Sequence, residues 1–355
     1  MKTTNEHIAE ISNTASDACP DARASRRGAS PMKLPPSAAS PTMYFVGVTT
    51  GQSSIMKLFP LWAEALGLGG PKIVGIDIAI HANPETYRDC VRFIKEDPLS
   101  LGALVTTHKI DLFNAARDLF DTLDPYAATF EEISSISKAG GALAGHAKDP
   151  ISSGLSLEAF VPPGHWKKTG GHALIMGAGG SALAICSYLT HPDRGDDVPD
   201  TIVITNRSPE RLESARQLLG RIDTHVRFEY KLCPSPADND AVLAGMPAGS
   251  LVVNATGLGK DRPGSPLTDN AVFPQGGLVW ELNYRGALDF MHQALRQQAQ
   301  RRLHVEDGWI YFIHGWTQVI SEVFHVPIEG ETFDRLEKIA MELRDGSETK
   351  GAAQT

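Results

Sequence analysis

From residue 43 onward the chain alternates short apolar runs with stretches whose apolar residues recur every three to four positions. The runs at 43–48, 72–80 and 101–106 have strand length, and a helical pattern follows each. The first pattern puts Ile55, Leu58, Phe59, Trp62 and Leu66 on one face, and Pro60 is expected to kink that helix or to lie in its first turns. Asn83-Pro84 opens the second helix, which carries Val91, Phe93 and Ile94. Residues 110–120 form the third, with Leu112, Phe113 and Ala116 inward. This alternation predicts a parallel α/β layer. The runs 133–137 and 143–145, joined through Gly140-Gly141, predict a hairpin that ends at 146–149.

A second alternation begins with a strand at 173–176 and a helix at 183–189. A strand at 201–205, a helix at 212–219 and buried strands at 251–254 and 278–282 follow. An amphipathic helix at 290–300 precedes a long apolar one at 305–324, which starts with Asp307-Gly308. Residues 191–200, rich in Asp and Pro, are expected as a solvated loop. Pro162-Pro163-Gly164 and 167–171 punctuate the chain, so a domain boundary is expected between 151 and 169. Residues 1–41, rich in Ser, Ala and Pro without an apolar period, are expected as a disordered tail.

Composition narrows the classes. A chain of 355 residues suits two domains, and 42% hydrophobic with 21% charged residues describes an ordinary globular protein. A net charge of −9 without a dense basic patch argues against nucleic acid as a partner. No apolar run is long enough to span a bilayer, so no membrane association is expected. Cys19, Cys90, Cys186 and Cys233 are scattered, which predicts neither a metal site nor a disulfide scaffold and suits a reducing cytoplasm. Cys186 is expected as a buried filler.

Candidate chemistry concentrates in the second half. The strand at 173–176 runs into Gly177-Ala178-Gly179-Gly180-Ser181-Ala182 and then a helix, which is the G-x-G-x-x-A form of the dinucleotide fingerprint. Glycines let backbone N–H groups approach a pyrophosphate, Ala182 permits close helix–strand packing, and the helix start attracts anions. The next strand ends in Asn206-Arg207-Ser208-Pro209-Glu210-Arg211. No acid stands at the tip, where a site for NAD places one, and the two arginines suit a 2′-phosphate, so NADP is the expected cofactor. The plainer reading of the same segment is an exposed basic turn with Ser208 as helix N-cap.

These motifs, together with Asn254-Ala255-Thr256-Gly257-Leu258-Gly259, resemble in order and spacing the NADP domain of shikimate dehydrogenases, whose third motif reads N-A-T-x-L-G. Val105-Thr106-Thr107-His108-Lys109 is similar to the family's V-T-x-P-H-K, Gly145-His146-Ala147-Lys148-Asp149 to its G-x-N-T-D, and Glu281-Leu282-Asn283-Tyr284 to its D-x-x-Y. The resemblance implies an α/β enzyme: an N-terminal α/β substrate domain, a Rossmann domain for NADP, and C-terminal helices that return to the first domain. On this sequence the substrate domain would cover 42–155 and 303–345, and the Rossmann domain 156–302. The implied reaction is reversible hydride transfer between a ring secondary alcohol, such as shikimate, quinate or a related polyhydroxylated acid, and NADP. The implied partner is a small hydroxy acid or polyol, and the expected assembly a monomer or homodimer.

By resemblance Lys109 and Asp149 carry the chemistry, with Lys109 either accepting the alcohol proton or only orienting the oxygen. Ser53 matches the first serine of the family's S-x-S carboxylate clamp, with Ser54 beside it. Thr106 matches the threonine of V-T, Tyr284 the late tyrosine, and Gln318 the glutamine of the last helix, with Trp316 as the alternative. Ser53 or Ser54 is equally a plausible N-cap. The substrate side departs from the pattern: Ile55 replaces the second clamp serine, Leu104 the asparagine before V-T, and Ser134 the asparagine of A-V-N-T. Ala147 and Lys148 replace Asn and Thr of N-T-D, and Lys148 offers a new positive charge to a carboxylate. Lost hydrogen-bond partners weaken recognition of a specific hydroxyl. A non-catalytic NADP-binding regulator is therefore the alternative to an enzyme. An NAD-linked quinate enzyme is disfavoured by Arg207 and Arg211.

Overall fold

The structure, a computed structural model, describes residues 34–260 and 262–352. Most of the expected tail, with Cys19, lies outside the described residues. The part from 34 to 41 is ordered, contrary to expectation. Leu34 packs against the core of the first sheet, and Ala38 N donates to Asp97 Oδ2 at 2.9 Å. Asp97 is buried and needs donors; Tyr44 Oη (2.6 Å) and Leu99 N (3.0 Å) supply two more.

Six strands form the first sheet: β1 (Thr42–Gly47), β2 (Lys72–Asp77), β3 (Ser100–Val105), β4 (Thr122–Leu123), β5 (Ser135–Ala139) and β6 (Ala142–His146). Their spatial order is β2-β1-β3-β5-β6-β4. β1 lies parallel to β2 and β3, whereas β5 pairs antiparallel with β3 and β6. The hairpin turn holds Gly140 and Gly141 at φ +57° and +87°, which only glycine adopts readily. Helices α1 (Ile55–Ala65), α2 (Pro84–Glu96), α3 (Lys109–Ala116), α4 (Pro125–Phe130) and α5 (Asp149–Phe160) connect or follow these strands. β2 ends at Asp77 rather than at 80, and there Asp77 Oδ1 takes Thr50 N (2.8 Å) and Thr50 Oγ1 (2.6 Å). α3 stops at Ala116, and the rest of the expected helix is a single 3₁₀ turn.

The second sheet contains β7 (Ala173–Met176), β8 (Thr201–Asn206), β9 (Arg227–Leu232), β10 (Leu251–Asn254), β11 (Leu278–Glu281) and β12 (His304–Glu306). All its pairings are parallel, in the order β12-β11-β10-β7-β8-β9. The helices of this half are α6 (His165–Thr169), α7 (Gly180–Leu189), α8 (Pro209–Leu219), α9 (Pro236–Ala244), α10 (Asp289–Leu295) and α11 (Gln298–Arg301). The last two replace the single helix expected over 290–300. Val305 lies in β12, so the long apolar helix, α12 (Trp309–Phe324), starts only after Asp307-Gly308. Asp307 Oδ1 accepts Trp309 N at 2.9 Å, and a Cβ on Gly308 would stand 2.1 Å from Leu282 O.

α12 and α13 (Glu331–Ala352) return to the first sheet, where Ile313, Trp316, Ile320 and Leu336 pack with Met43, Phe45, Leu58 and Trp62. α5 runs unbroken through 155–156, where the domain division was expected, and packs closely on α7: a Cβ on Gly154 would stand 2.3 Å from the Tyr188 ring. Cys90, Cys186 and Cys233 are free and buried. Among the described residues no helix is long and apolar enough to cross a membrane.

Candidate active site

β7 and β10 are neighbours in space, and the chain order of the second sheet reverses between them. In parallel sheets such a switch point opens a crevice at the carboxyl ends of the strands. The glycine turn after β7 and the Asn254–Gly259 segment after β10 flank it. Gly177 has φ +123°, and a Cβ there would stand 2.5 Å from Ala255 O, so the two loops touch backbone to backbone. α7 begins after Gly179 without any side-chain cap, which leaves its first N–H groups for a ligand. Ala182 is buried where the helix meets the sheet.

Buried amides brace the second loop. Asn254 Oδ1 accepts Thr256 N (3.1 Å) and Thr256 Oγ1 (2.7 Å), while its Nδ2 donates to Leu258 O (3.2 Å) and Glu281 Oε2 (2.8 Å). Asn283 N (2.9 Å) and Nδ2 (2.7 Å) donate to Glu281 Oε1, and the same Nδ2 reaches Leu258 O (2.9 Å). Burial pushes the Glu281 carboxyl up to about 7 despite these donors.

At the tip of β8, Asn206 Oδ1 accepts Ser208 N at 2.9 Å, and Ser208 Oγ accepts Arg211 N at 3.2 Å. Ser208 is thus the N-cap of α8, and its hydroxyl donates to Glu210 Oε2 at 2.7 Å. Arg207 and Arg211 are exposed, and among the described residues no acid pairs with either. One segment thus holds both the capping turn and two exposed arginines.

Lys109 opens α3 and Asp149 opens α5, and their side chains form a hydrogen-bonded ion pair with little exposure to solvent. Asp149 is a helix start, not a strand end. Glu132, just before β5, is 2% exposed and faces the pair. Burial works against the Lys109 charge, but Asp149 and Glu132 outweigh it and hold the ammonium above its ordinary range. Burial pushes Glu132 up to about 7, and the Asp149 charge adds to this. Tyr311 of α12 faces Ser181, Asp149 and Glu132, and burial together with those acids raises its phenol well above the usual value. Sequence reasoning missed Glu132 and Tyr311. The only available signal was the acid's position between buried Phe130 and Ile133.

On the substrate side, Ser53 and Ser54 follow β1 and Thr106 follows β3, at the carboxyl ends of adjacent parallel strands. Neither serine caps α1. Ser54 occupies the N-cap position with helical φ/ψ of −56°/−26°, whereas capping requires an extended residue. Ile55 and Leu104 are core residues. Trp316 is core too, edge-on to Phe45 at 4.9 Å, which removes it as the alternative to half-buried Gln318. Tyr284 packs against Phe312 (4.5 Å) and Trp309 (5.5 Å), with Lys260 Nζ 5.6 Å from its ring. Ser134 Oγ accepts Lys148 N at 2.7 Å. Lys148 Nζ lies 2.5 Å from Glu322 Oε2 of α12, so its charge is met inside the protein.

Comparisons with known proteins agree with this architecture. A scan against protein-family models finds no match. The chain is 30% identical over 217 residues to the shikimate dehydrogenase (NADP(+)) of Symbiobacterium thermophilum, covering 61% of this chain and 68% of that protein. It is 26% identical over 278 residues to the enzyme of the same name from Methylocella silvestris, covering 78% and 88%. The crystal structure of shikimate 5-dehydrogenase from Thermus thermophilus in complex with NADP(H) and shikimate superimposes with a TM-score of 0.61 at 21% identity, covering 85% of this chain and 99% of that one. At that identity the likeness is one of fold: two α/β layers, the second a parallel sheet of Rossmann order. Sequence kinship across most of a relative, the shared two-sheet fold and the matching order of motifs place this chain in the shikimate dehydrogenase family.

Proposed function

We propose that the protein is an NADP-dependent oxidoreductase that transfers hydride reversibly between a ring secondary alcohol of the shikimate or quinate type and the cofactor. The observation that carries this reading is the Lys109–Asp149 ion pair at the starts of α3 and α5, with Glu132 reaching from it to the glycine turn of the second sheet. The relatives named for NADP-dependent shikimate oxidation support it.

Gly177–Ala182 and the start of α7 would hold the pyrophosphate. Asn206, Arg207, Ser208 and Arg211 would hold the 2′-phosphate, and Asn254–Leu258 the nicotinamide side. The unpaired guanidinium groups and the uncapped helix fit this ligand. When bound, NADP supplies the hydride acceptor and donor. In reduction the Lys109 ammonium, favoured by two acids, would give its proton to the ketone oxygen as hydride arrives, and in oxidation the Lys109 amine would take the hydroxyl proton as hydride leaves. Asp149 fixes its direction. Ser53, Ser54, Thr106, Tyr284 and Gln318 would bind the polyhydroxylated body, because hydroxyls both give and accept hydrogen bonds. Lys148 would join them as a residue held by Glu322. The first sheet with the returning helices would form the substrate domain (42–155 and 303–345), and 156–302 the NADP domain.

A soluble cytoplasmic enzyme, monomer or homodimer, suits the free buried cysteines. The intact Lys109–Asp149 pair favours an enzyme over a non-catalytic regulator. The test is NADPH formation over a panel of shikimate, quinate and related cyclic polyols. Turnover lost in Lys109→Ala with NADP affinity retained supports the reading. Absence of turnover on the whole panel despite NADP binding overturns it.

A further inference from the structure

Glu132 is a buried ionisable group that lies between the Lys109–Asp149 pair and the glycine turn. It is 2% exposed, yet among the described residues no hydrogen bond or ion pair holds its carboxyl. Buried acids are ordinarily satisfied, because an unpaired one is costly. The side chain is aimed at the glycine turn: its Oε2 lies 2.5 Å from where a Cβ on Gly180, the first residue of α7, would stand. Any larger residue at 180 would collide with it. The charged and titratable groups around it are Lys109 at the start of α3, Asp149 at the start of α5, Asp124 before α4 and Tyr311 of α12. Two acids, Glu132 and Asp149, therefore share one ammonium beside a helix start suited to an anion, with Asp124 adding a further negative charge near Glu132. The pattern A-V-N-T, aligned with its asparagine at Ser134, would put alanine at 132, so the extra carboxyl belongs to this chain rather than to the motif.

We propose that Glu132 is a positioning residue that takes up a proton when the anionic dinucleotide occupies the start of α7, and so releases Lys109 from one of its two carboxylate neighbours. The inference rests on the NADP reading above. The proton comes from solvent: the carboxylate gains H⁺, no other bond changes, and the added negative charge at the turn favours the neutral acid. Lys109 is then left with Asp149 alone. An ammonium flanked by one acid gives up its proton more readily than one flanked by two, which is what exchange with an alcohol oxygen requires. Burial already raises the Glu132 carboxyl to about 7, so the uptake is largest on the alkaline side of neutrality.

Calorimetric titration of the full chain with NADP⁺ at about pH 8, in two buffers of different ionisation heat, reads the proton directly. At that pH the 2′-phosphate, with a pKa of about 6, contributes little. Wild type is expected to take up close to one proton per NADP⁺ bound, and its affinity to weaken roughly tenfold per pH unit in that range. Glu132→Gln should bind with no uptake and a flat pH profile, and Glu132→Asp should restore part of the uptake. Equal uptake in wild type and Glu132→Gln, or none in wild type, overturns the proposal. Should Glu132→Gln not fold, the wild-type uptake and the Glu132→Asp profile decide. Failure of wild type to bind NADP⁺ at all removes the cofactor reading, a result distinct from binding without uptake.

Discussion

Lys148 Nζ lies 2.5 Å from Glu322 Oε2, joining the segment before α5 to α12, with His146 Nε2 3.4 Å from the other carboxylate oxygen. Burial opposes the Glu322 charge, but Lys148 and His146 hold its carboxyl below the ordinary value. A charge that sequence alone assigns to a ligand is thus answered within the fold. Glu322→Gln should free the ammonium and lower KM for a carboxylate substrate several-fold, with little change for an uncharged polyol. Lys148→Met should leave the partly buried Glu322 carboxylate with His146 as its near partner and cost about 1–2 kcal/mol in denaturant titration, less than a fully buried pair because the site is partly solvated.

Removing either partner of the Lys109–Asp149 pair separates chemistry from binding. Lys109→Ala and Asp149→Asn are each expected to lower kcat by roughly 10²- to 10⁴-fold, the range typical for a positioned acid–base group. NADP affinity, measured by fluorescence titration, should change little. The double variant should be scarcely worse than either single one, since the two act as a unit.

The unpaired arginines after β8 make cofactor choice testable. Arg207→Ala and Arg211→Ala should each weaken NADP by about 1.5–3 kcal/mol, the usual worth of a charged hydrogen bond, and leave NAD unaffected. Calorimetry with both cofactors reads the ratio. A parallel loss for NAD would place the arginines elsewhere than on the 2′-phosphate.

Glu281 is fully buried, and its oxygens accept from Asn254 and Asn283. Glu281→Gln would turn one acceptor into a donor facing donors. It should cost about 1–3 kcal/mol and raise KM for NADP by loosening the Asn254–Leu258 loop.

The same carboxyl and Glu132 give stability a pH signature. Both have folded values raised from 4.5 to about 7, so the native state binds more protons than the unfolded one between those limits. Their contribution is complete below about pH 4.5 and is lost as pH rises through about 7. Urea titrations at pH 5 and pH 8 should show this fall, and Glu132→Gln should reduce it.

What could be read from sequence follows from burial. β7, β8, β10 and β11 are buried on nearly every residue, and continuous apolar runs announce them. β9, RFEYKL, lies at the sheet edge with exposed ends, so neither an apolar run nor a clean alternation marks it. Asp307-Gly308 marks a helix start, yet the expected helix takes in Val305, which Glu306-Asp307-Gly308 separates from the apolar run that opens at Trp309. Lys109 and Asp149 are legible through motif order. Glu132 escapes because the second glutamate of Phe130-Glu131-Glu132-Ile133 looks like a surface charge until its fold is known. Trp316 looks like a site residue for the opposite reason, since an aromatic on an amphipathic helix serves a core equally well.

α5 has a mechanical consequence. Its first residue is Asp149, its glycine is wedged against Tyr188 of α7, and Leu157 belongs to the core of the second sheet. A helix is stiff along its axis, so it behaves as a pushrod fixed to the second sheet with Asp149 at its tip. A tilt of that layer relative to the other would be carried along α5 to Asp149, which couples crevice width to the gap between this carboxylate and Lys109.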